Sequence, residues 1–409
     1  MDLQWLRVVV VGHVDHGKST LIGRLLHDSG ALPEGRIEEI TRAGAGDADP
    51  EWALLLDHFH EEREEERTID STQAFFATPR RVYRIIDTPG HREFLKNMVT
   101  GAAQADAAIL VVDVEAGVLE QTRRHVAMLD LLGQRRAIVA INKMDRVQGR
   151  RGDFETVADA ARTLLSQTRI NVHHVIPISA QHGWNLASRA AALSWYEGPT
   201  LFDALDSLAP PEPLSNRPLR FPIQDRYELN GRGVLVGRVE SGRLAQGQTV
   251  LCLPSGESAP IASVERFLER RTSAEAGESI GLTFDGMLEL QRGAVLCDPQ
   301  SPPKMARRIE ANVFWLAAGG WAQGDSLVLR CTTQETPCGI ERLQRRINSS
   351  TLEVIETDAQ RLEPTEVGHV ALTLERPIAV EESAAGGPLA RFVLLKNQTI
   401  SAGGTVTRV

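Results

Sequence analysis

Cysteine and lysine are scarce in this sequence of 409 residues, and long apolar runs are missing. The N-terminus has neither the charged region nor the apolar core of a signal peptide. No apolar run approaches the roughly 20 residues of a membrane-spanning helix. The cysteines lie far apart without C-x-x-C spacing, which favours buried thiols in a reducing compartment over zinc ligands. They are Cys252, Cys297, Cys331 and Cys338. We therefore expect a cytoplasmic protein without membrane contact.

The charge balance gives no general attraction to nucleic acid. The chain has 45 basic and 54 acidic side chains and a formal net charge of −9, whereas binding to phosphate backbones usually needs a basic face. Two stretches, 266–271 and 342–346, do carry several arginines. Glutamates interrupt the first stretch, so we interpret both as solvated surface.

The first half of the chain has the pattern of an α/β domain. Up to about residue 208, short apolar runs alternate with helical patterns such as Gln121–Leu132 and Phe154–Gln167. This alternation predicts a mostly parallel sheet with helices on both faces, in which ligands bind at the carboxyl ends of the strands. The predicted strands are Val8–Val11, Arg84–Ile86, Ala108–Val112, Ala137–Ile141 and Val175–Ile178.

A change of pattern follows the proline-rich segment 209–213. Short β runs with glycine-rich turns then continue to the C-terminus, and Asn230-Gly231 is a hairpin signal. A second proline-rich break spans residues 299–303. We predict a nucleotide-binding domain over residues 1–209 and two small antiparallel β-barrels over 216–300 and 304–409.

One segment has the strand, loop and helix order of a phosphate-binding loop. It follows the run Val8–Val11 and reads Gly12-His13-Val14-Asp15-His16-Gly17-Lys18-Ser19-Thr20. Its glycines allow backbone N–H groups to surround a polyphosphate, and the following helix adds its positive N-terminus. We predict that Lys18 reaches the β- and γ-phosphates and that Ser19 ligates Mg²⁺.

Three further segments follow predicted strands and complete a guanine-nucleotide site. The first is Asp87-Thr88-Pro89-Gly90-His91, in which Asp87 can hold Mg²⁺ through water and the Gly90 N–H can meet a γ-phosphate. The second is Asn142-Lys143-Met144-Asp145, where the carboxylate of Asp145 matches the paired donors of guanine. The third is Ser179-Ala180, which can place a backbone N–H on the guanine oxygen. The order of the segments predicts binding of GTP with Mg²⁺.

Two residues are candidates for the hydrolysis step. Thr68 can ligate Mg²⁺ through its hydroxyl group and contact the γ-phosphate through its N–H group. His91, directly after Gly90, is placed to orient the attacking water. We therefore predict Lys18, Thr68, Gly90 and His91 as the catalytic residues of a GTPase.

These segments resemble the translation-factor-type GTPases, the class of elongation factor Tu and its eukaryotic and archaeal counterpart. The matching positions are 12–20, 68–70, 87–91, 94–102 and 142–145. Within this class, residues 21–28, 117–125, 346–353 and 362–377 resemble the GTPase (large) subunit of bacterial sulfate adenylyltransferase. The resemblance implies a hetero-oligomer with a separate catalytic (small) nucleotidyltransferase subunit, which binds ATP and sulfate and makes adenylyl sulfate while GTP hydrolysis drives the reaction.

The sequence departs from this pattern in two places. Glu66-Arg67 stands where relatives have glycine and an apolar residue before the switch threonine, so Arg67 cannot form an apolar gate around His91. Arg67 either approaches the γ-phosphate or pairs with neighbouring glutamates on the surface. His13 and His16 are typical of elongation factors. Three alternatives stay open. They are a paralogous GTPase with a different activation reaction, a factor that delivers aminoacyl-tRNA, and a guanine-nucleotide sensor with no coupled reaction. The charge balance makes tRNA an unfavoured partner.

Overall fold

The structure is a computed structural model that describes residues 4–31, 52, 73–87, 105–209, 212–229, 232–266, 269–285, 290–349, 351, 353–383 and 386–409. It divides into two compact units, residues 1–211 with 349–352, and residues 212–348 with 353–409. Thr68, Gly90 and His91 lie outside the described residues, as does the Glu66-Arg67 pair. The three domain ranges given above stay a prediction.

The described part of the first unit contains six strands and four α-helices. The strands are β1 (Gln4–Gly12), β2 (Gln73–Ala77), β3 (Arg81–Asp87), β4 (Ala107–Asp113), β5 (Arg136–Asn142) and β6 (Asn171–Pro177). The helices are α1 (Lys18–Asp28), α2 (Glu120–Leu131), α3 (Arg151–Ser166) and α4 (Leu201–Ser207). The five strands that the sequence predicts lie within or overlap β1, β3, β4, β5 and β6.

The six strands form one sheet in the order β2-β3-β1-β4-β5-β6. All neighbours from β3 to β6 pair in parallel. Val8–Val11 of the central strand β1 are fully buried, as expected for a parallel strand with both faces covered, which reads as a continuous apolar run. The register places Asp113 beside Asn142 and Val10 beside Asp87. The predicted α/β class is therefore confirmed, and the carboxyl ends of β1, β3, β4 and β5 lie at the same edge of the sheet.

Strand β2 is the part of this sheet that the sequence pattern did not predict. It pairs antiparallel with β3 at the edge of the sheet. Phe76 is buried and stacks on the ring of Tyr83 at 4.8 Å, whereas Phe75 on the opposite face is exposed. A strand of five residues at the edge carries too short an apolar alternation to be distinguished from a loop.

The second unit is built from eighteen described strands. The first group is β7 (Arg220–Leu229), β8 (Arg232–Arg238), β9 (Arg243–Ala245), β10 (Thr249–Leu253), β11 (Glu257–Arg266), β12 (Glu269–Arg271), β13 (Ser273–Glu275), β14 (Ser279–Phe284) and β15 (Val295–Cys297). The second group is β16 (Lys304–Trp315), β17 (Trp321–Ala322), β18 (Leu327–Cys331), β19 (Gln334–Ile347), β20 (Val354–Ala359), β21 (Arg361–Leu362), β22 (Val367–Val380), β23 (Arg391–Lys396) and β24 (Thr399–Arg408).

Each group contains a closed ring of six antiparallel strands. The first ring runs β7-β8-β14-β11-β10-β15 and returns to β7, and the second runs β16-β22-β19-β18-β23-β24 and returns to β16. Each ring encloses an apolar core, with Phe221 in the first and Trp315 in the second, both fully buried. Closure leaves no unpaired edge within a ring. The predicted pair of small β-barrels is confirmed.

Two local features of this unit bear on the sequence analysis. Leu229 of β7 lies opposite Arg232 of β8, so the strands joined by Asn230-Gly231 form the predicted antiparallel hairpin. A buried ion pair joins the first group of strands to the segment after β22, because the guanidinium of Arg220 contacts Glu381 Oε1 at 2.9 Å. Across the part of the chain that the structure describes, no helix has the length and apolarity needed to cross a membrane.

Candidate nucleotide-binding site

The loop between β1 and α1 is closed by its glycines and by the buried amine of Lys18. Gly17 caps α1 in the left-handed region, with φ +85°, which a glycine adopts without steric strain. A Cβ atom on Gly17 would lie 2.5 Å from Asn142 Nδ2. Lys18 Nζ donates to the carbonyl oxygens of Gly12 and His13, both at 2.9 Å. The amine of Lys18 therefore lies inside the loop, where a phosphate oxygen could take the place of a carbonyl group.

The other residues of the phosphate loop lie just before α1 or in its first turn. Ser19 and Thr20 are half-buried in the first turn of α1, next to the helix N-terminus. His13 makes a 2.7 Å contact from Nδ1 to the carbonyl oxygen of Val14. Asp15 is exposed and left-handed, with φ +63°. These positions form the turn between β1 and the N-terminus of α1, a backbone arrangement that can bind a polyphosphate.

Asn142 connects three of the predicted segments. Its Nδ2 atom donates to the carbonyl oxygen of His16 at 2.9 Å, and its Oδ1 atom accepts from Ala180 N at 2.9 Å. The side chain is 2% exposed, so both bonds are shielded from water. The phosphate loop, the loop after β5 and the Ser179-Ala180 turn are thus held together by one amide group.

Asp145 is placed at the mouth of the site by the turn that follows β6. Ser179 Oγ donates to Asp145 Oδ1 at 2.5 Å, and Oδ2 lies 3.9 Å from His182 Nε2. The carboxylate is partly exposed, and one oxygen keeps room for a further donor. An ionised carboxylate accepts hydrogen bonds only, so this position can select a base that presents N–H groups.

Two histidines near the phosphate loop are buried and neutral. Burial lowers the pKa of His16 to about 4. Burial, followed by the positive charge of Lys18, lowers the pKa of His125 to about 3. Within the described residues, Nε2 of His16 and Nδ1 of His125 have no hydrogen-bond partner. Two neutral imidazoles beside Lys18 add no positive charge to the site at neutral pH.

The sequence analysis missed Asp113 and His125. Asp113 ends β4 and its Oδ2 atom lies 2.7 Å from Lys143 Nζ. An acidic residue directly after the predicted apolar strand Ala108–Val112 is the signal that could have found it. His125 lies within the amphipathic helix α2, and no sequence feature distinguishes it from an ordinary core histidine.

The remaining predicted site residues are described in part or not at all. Asp87 ends β3, so its backbone lies at the edge of the sheet where the loops meet, but its side chain is outside the described set. Thr68, Gly90 and His91 lie outside the described residues. Gly12, Lys18, Asn142, Asp145, Ser179 and Ala180 are all brought to one edge of the sheet.

This fold and these loops define a P-loop protein that binds GTP, with two β-barrels after the nucleotide-binding sheet. The chain belongs to the elongation factor Tu family of GTP-binding proteins: residues 4–211 match the elongation factor Tu GTP binding domain. Residues 232–297 match elongation factor Tu domain 2, and residues 308–407 match the GTP-eEF1A C-terminal domain-like family. The chain is thus a translation-factor-like GTPase.

Several proteins are similar to this chain over nearly its full length. Elongation factor 1-alpha of Archaeoglobus fulgidus is 40% identical over 411 residues, covering 98% of this chain and 97% of that protein. The bifunctional enzyme NodQ of Rhizobium sp. (strain N33) is 36% identical over 407 residues, covering 97% of this chain but 62% of that protein. A crystal structure of sup35 complexed with GDP aligns with a TM-score of 0.47 at 25% identity, covering 100% of this chain and 94% of that one.

Proposed function

We propose that the loop and turn residues described above hold the guanine nucleotide. The amide of Asn142, bonded to both His16 and Ala180, carries the proposal because it fixes the phosphate loop and the base-binding turn in one arrangement. Lys18 neutralises the β- and γ-phosphates, and Asp145 accepts from the base. The residues proposed to line the nucleotide are Gly12, His13, Val14, Asp15, His16, Gly17, Lys18, Ser19, Thr20, Asp87, Gly90, Asn142, Lys143, Asp145, Ser179 and Ala180.

The magnesium ion of such a GTPase fits the donors of this chain. Ser19 directly follows the buried Lys18 in the first turn of α1, and a hydroxyl oxygen suits a hard divalent cation. Thr68 and Asp87 would complete the set. When bound, Mg²⁺ neutralises charge that develops on the phosphate oxygens. We propose that His91 orients the attacking water while Thr68 and Gly90 contact the γ-phosphate.

We further propose that GTP hydrolysis by this chain drives a separate nucleotidyltransferase subunit that forms adenylyl sulfate from ATP and sulfate. The resemblance of residues 117–125 and 346–353 to the large subunit of sulfate adenylyltransferase supports this. NodQ is named as a bifunctional enzyme, and this chain corresponds to 62% of it. A GTPase that works together with a second catalytic activity agrees with an alignment to only part of a bifunctional enzyme. The four cysteines form no disulfide bonds, which agrees with a location in the cytoplasm.

The charges of the barrel unit favour a protein partner over a nucleic acid. Residues 212–409 carry 22 basic and 24 acidic side chains, so the unit has no excess of positive charge. At least eleven of the basic side chains lie within 4 Å of a carboxylate: Arg220, Arg243, Arg266, Arg271, Lys304, Arg308, Arg330, Arg342, Arg346, Arg361 and Lys396. Cations paired in this way are poorly placed to displace counterions from a phosphate backbone.

A second candidate is the delivery of aminoacyl-tRNA. The observation in its favour is the 40% identity to elongation factor 1-alpha of Archaeoglobus fulgidus over nearly the whole of both chains. His13 and His16 in the phosphate loop also agree with it. Binding of aminoacyl-tRNA that weakens steeply with rising salt would support this function and contradict the first proposal.

The experiment is to purify the tagged chain from its native cells, identify the protein that co-elutes, and reconstitute the pair. GTP hydrolysis is then measured with ATP and sulfate, together with the formation of adenylyl sulfate. We expect both to rise only when the pair and both substrates are present. Lys18→Ala, which cannot hold the triphosphate, is the matched control. A rate of GTP hydrolysis that does not change when ATP and sulfate are added overturns the coupling proposal. A rate that rises with ATP and another anion supports the paralogous alternative.

A further inference from the structure

Asp113 and Lys143 form a partly buried ion pair between two loops of the nucleotide site. Asp113 Oδ2 lies 2.7 Å from Lys143 Nζ, with side-chain exposures of 7% and 20%. The same amine donates to the carbonyl oxygen of Asp15 at 2.5 Å. Lys143 therefore joins the end of β4 to the phosphate loop, in addition to the contacts that Asn142 makes nearby.

Asp113 is itself held in one orientation. Its Oδ1 atom accepts from Glu115 N at 2.7 Å and from Ala116 N at 3.3 Å, which leaves Oδ2 for Lys143. Burial raises the pKa of this carboxyl, but the hydrogen bonds from Lys143, Glu115 and Ala116 outweigh burial and hold the pKa below its usual range. The carboxylate is thus ionised and fixed before a nucleotide binds.

Asp15 and Lys143, which are joined by this amine, both have unfavourable backbone conformations. Asp15 has φ +63° and Lys143 has φ +64°, in the left-handed region that a residue with a Cβ atom seldom adopts. Such conformations persist only where surrounding contacts determine them. The amine of Lys143, with a carbonyl on one side and a carboxylate on the other, supplies such contacts.

We propose that Asp113 is a positioning residue that holds the Lys143 side chain over the nucleotide and so sets how long the nucleotide stays bound. This inference rests on the proposed guanine site, in which Lys143 is a lining residue and its stem would lie over the base. Without the carboxylate, the ammonium group keeps, among the described residues, only the Asp15 carbonyl as a partner, and the loop after β5 loses this side-chain link to β4. The nucleotide can then leave more easily although no group that touches it has changed.

The test is a double-mutant cycle on the dissociation rate of fluorescent GDP from the full chain. We expect Asp113→Asn to raise the dissociation rate about tenfold, since hydrogen bonds to charged groups contribute on that order, and to leave the association rate unchanged. Lys143→Met, which keeps an apolar stem but no charge, should give a similar rise. In the Lys143→Met background, Asp113→Asn should raise the dissociation rate less than twofold further.

Two further variants separate positioning from a general loss of stability. Asp113→Glu, which keeps the charge, should restore at least part of the slow dissociation. Glu115→Gln removes an exposed carboxylate of the same loop, which lies 3.6 Å from Arg146. This variant should release GDP at the wild-type rate. Unchanged dissociation in Asp113→Asn, or an equal rise in the Lys143→Met background, overturns the inference. A wild-type chain that binds no GDP contradicts the proposed guanine site instead.

Discussion

The side chain of Asn142 donates a 2.9 Å hydrogen bond to the carbonyl oxygen of His16, 126 residues earlier in the chain. Because the same side chain accepts from Ala180, one amide fixes the distance between the phosphate loop and the base-binding turn. Preorganisation of this kind lowers the entropy that must be lost when a ligand binds. The proposed guanine site therefore depends on loop-to-loop contacts as much as on the groups that would touch the nucleotide.

We expect Asn142→Ala to raise the dissociation rate of GDP by about 10- to 100-fold, because two buried hydrogen bonds are lost and the His16 carbonyl keeps no partner from this side chain. Asn142→Asp separates the two bonds, since it can still accept from Ala180 but cannot donate to His16. If the hydrogen bond to His16 matters, GDP dissociates from Asn142→Asp as fast as it does from Asn142→Ala. Stopped-flow release of fluorescent GDP measures both, and wild-type rates in Asn142→Asp would contradict this account.

Much of this site could be predicted because its parts are local. The phosphate-loop motif is a run of consecutive residues, 12–20, so it can be recognised without knowing the fold. Asp145 and Ser179 each belong to a segment that follows an apolar strand. The pairing of Asp113 with Lys143 could not be predicted, because it depends on β4 and β5 being neighbours in register. Strand β2 was missed for a similar reason: its assignment depends on pairing with β3 rather than on its own short pattern.

Replacing the carboxylate of Asp145, which we propose selects the base, should change the nucleotide preference. Asp145→Asn presents a donor in place of an acceptor, which removes the match to the N1–H and 2-amino groups of guanine and suits the C2 carbonyl of xanthine. We expect the affinity for GDP to fall about 100-fold or more and xanthosine diphosphate to compete better than GDP. Competition against fluorescent GDP measures this. Asp159→Asn, an exposed carboxylate paired with Arg162 on α3, should leave the preference unchanged.

The role proposed for His91 rests on the sequence alone, because this residue lies outside the described part of the chain. We expect His91→Ala to bind GTP with wild-type affinity and to hydrolyse it about 100- to 10,000-fold more slowly in a single turnover, the usual effect of losing a group that orients or activates water. Lys18→Ala, in contrast, should lose affinity for the nucleotide. Normal hydrolysis by His91→Ala would show that another group positions the water.

The buried histidine of α2 should make the first unit sensitive to acid. The pKa of His125 is lowered to about 3 by burial and by Lys18, whereas the unfolded residue titrates near its ordinary pKa of 6.5. As the pH falls from 6.5, the unfolded state takes up a proton that the folded state does not, so the free energy of unfolding falls with pH. The loss from this residue is about 2 kcal/mol between pH 6.5 and 5.

We expect His125→Leu to flatten this pH dependence. The leucine side chain has a similar size and no titratable group, and Nδ1 of His125 makes no hydrogen bond within the described residues. Chemical denaturation at pH 7, 6 and 5 gives the free energy of unfolding. Thr122→Val, in the same helix, is the control: it can change stability, but not the slope against pH. Equal slopes in wild type and His125→Leu would contradict the assignment.

The buried ion pair of the barrel unit gives the sharpest stability prediction. Arg220 and Glu381 have side-chain exposures of 4% and 16%, and Glu381 Oε2 also accepts from Leu389 N at 3.4 Å. Removing one charge of such a pair leaves the other buried without compensation, which typically costs 3–5 kcal/mol. We expect Glu381→Gln to lower the free energy of unfolding of this unit by about 3 kcal/mol.

The neighbouring residue supplies the matched control. Glu382 contacts Lys304 at 3.2 Å, but this pair is solvent-exposed, and exposed ion pairs contribute about 0–1 kcal/mol. Glu382→Gln should therefore unfold at nearly the wild-type denaturant concentration. High salt should narrow the small difference between Glu382→Gln and wild type while leaving the larger effect of Glu381→Gln, because a buried pair is poorly screened. Similar stabilities for the two variants would mean that the Arg220 guanidinium finds water or another acceptor once Glu381 is replaced.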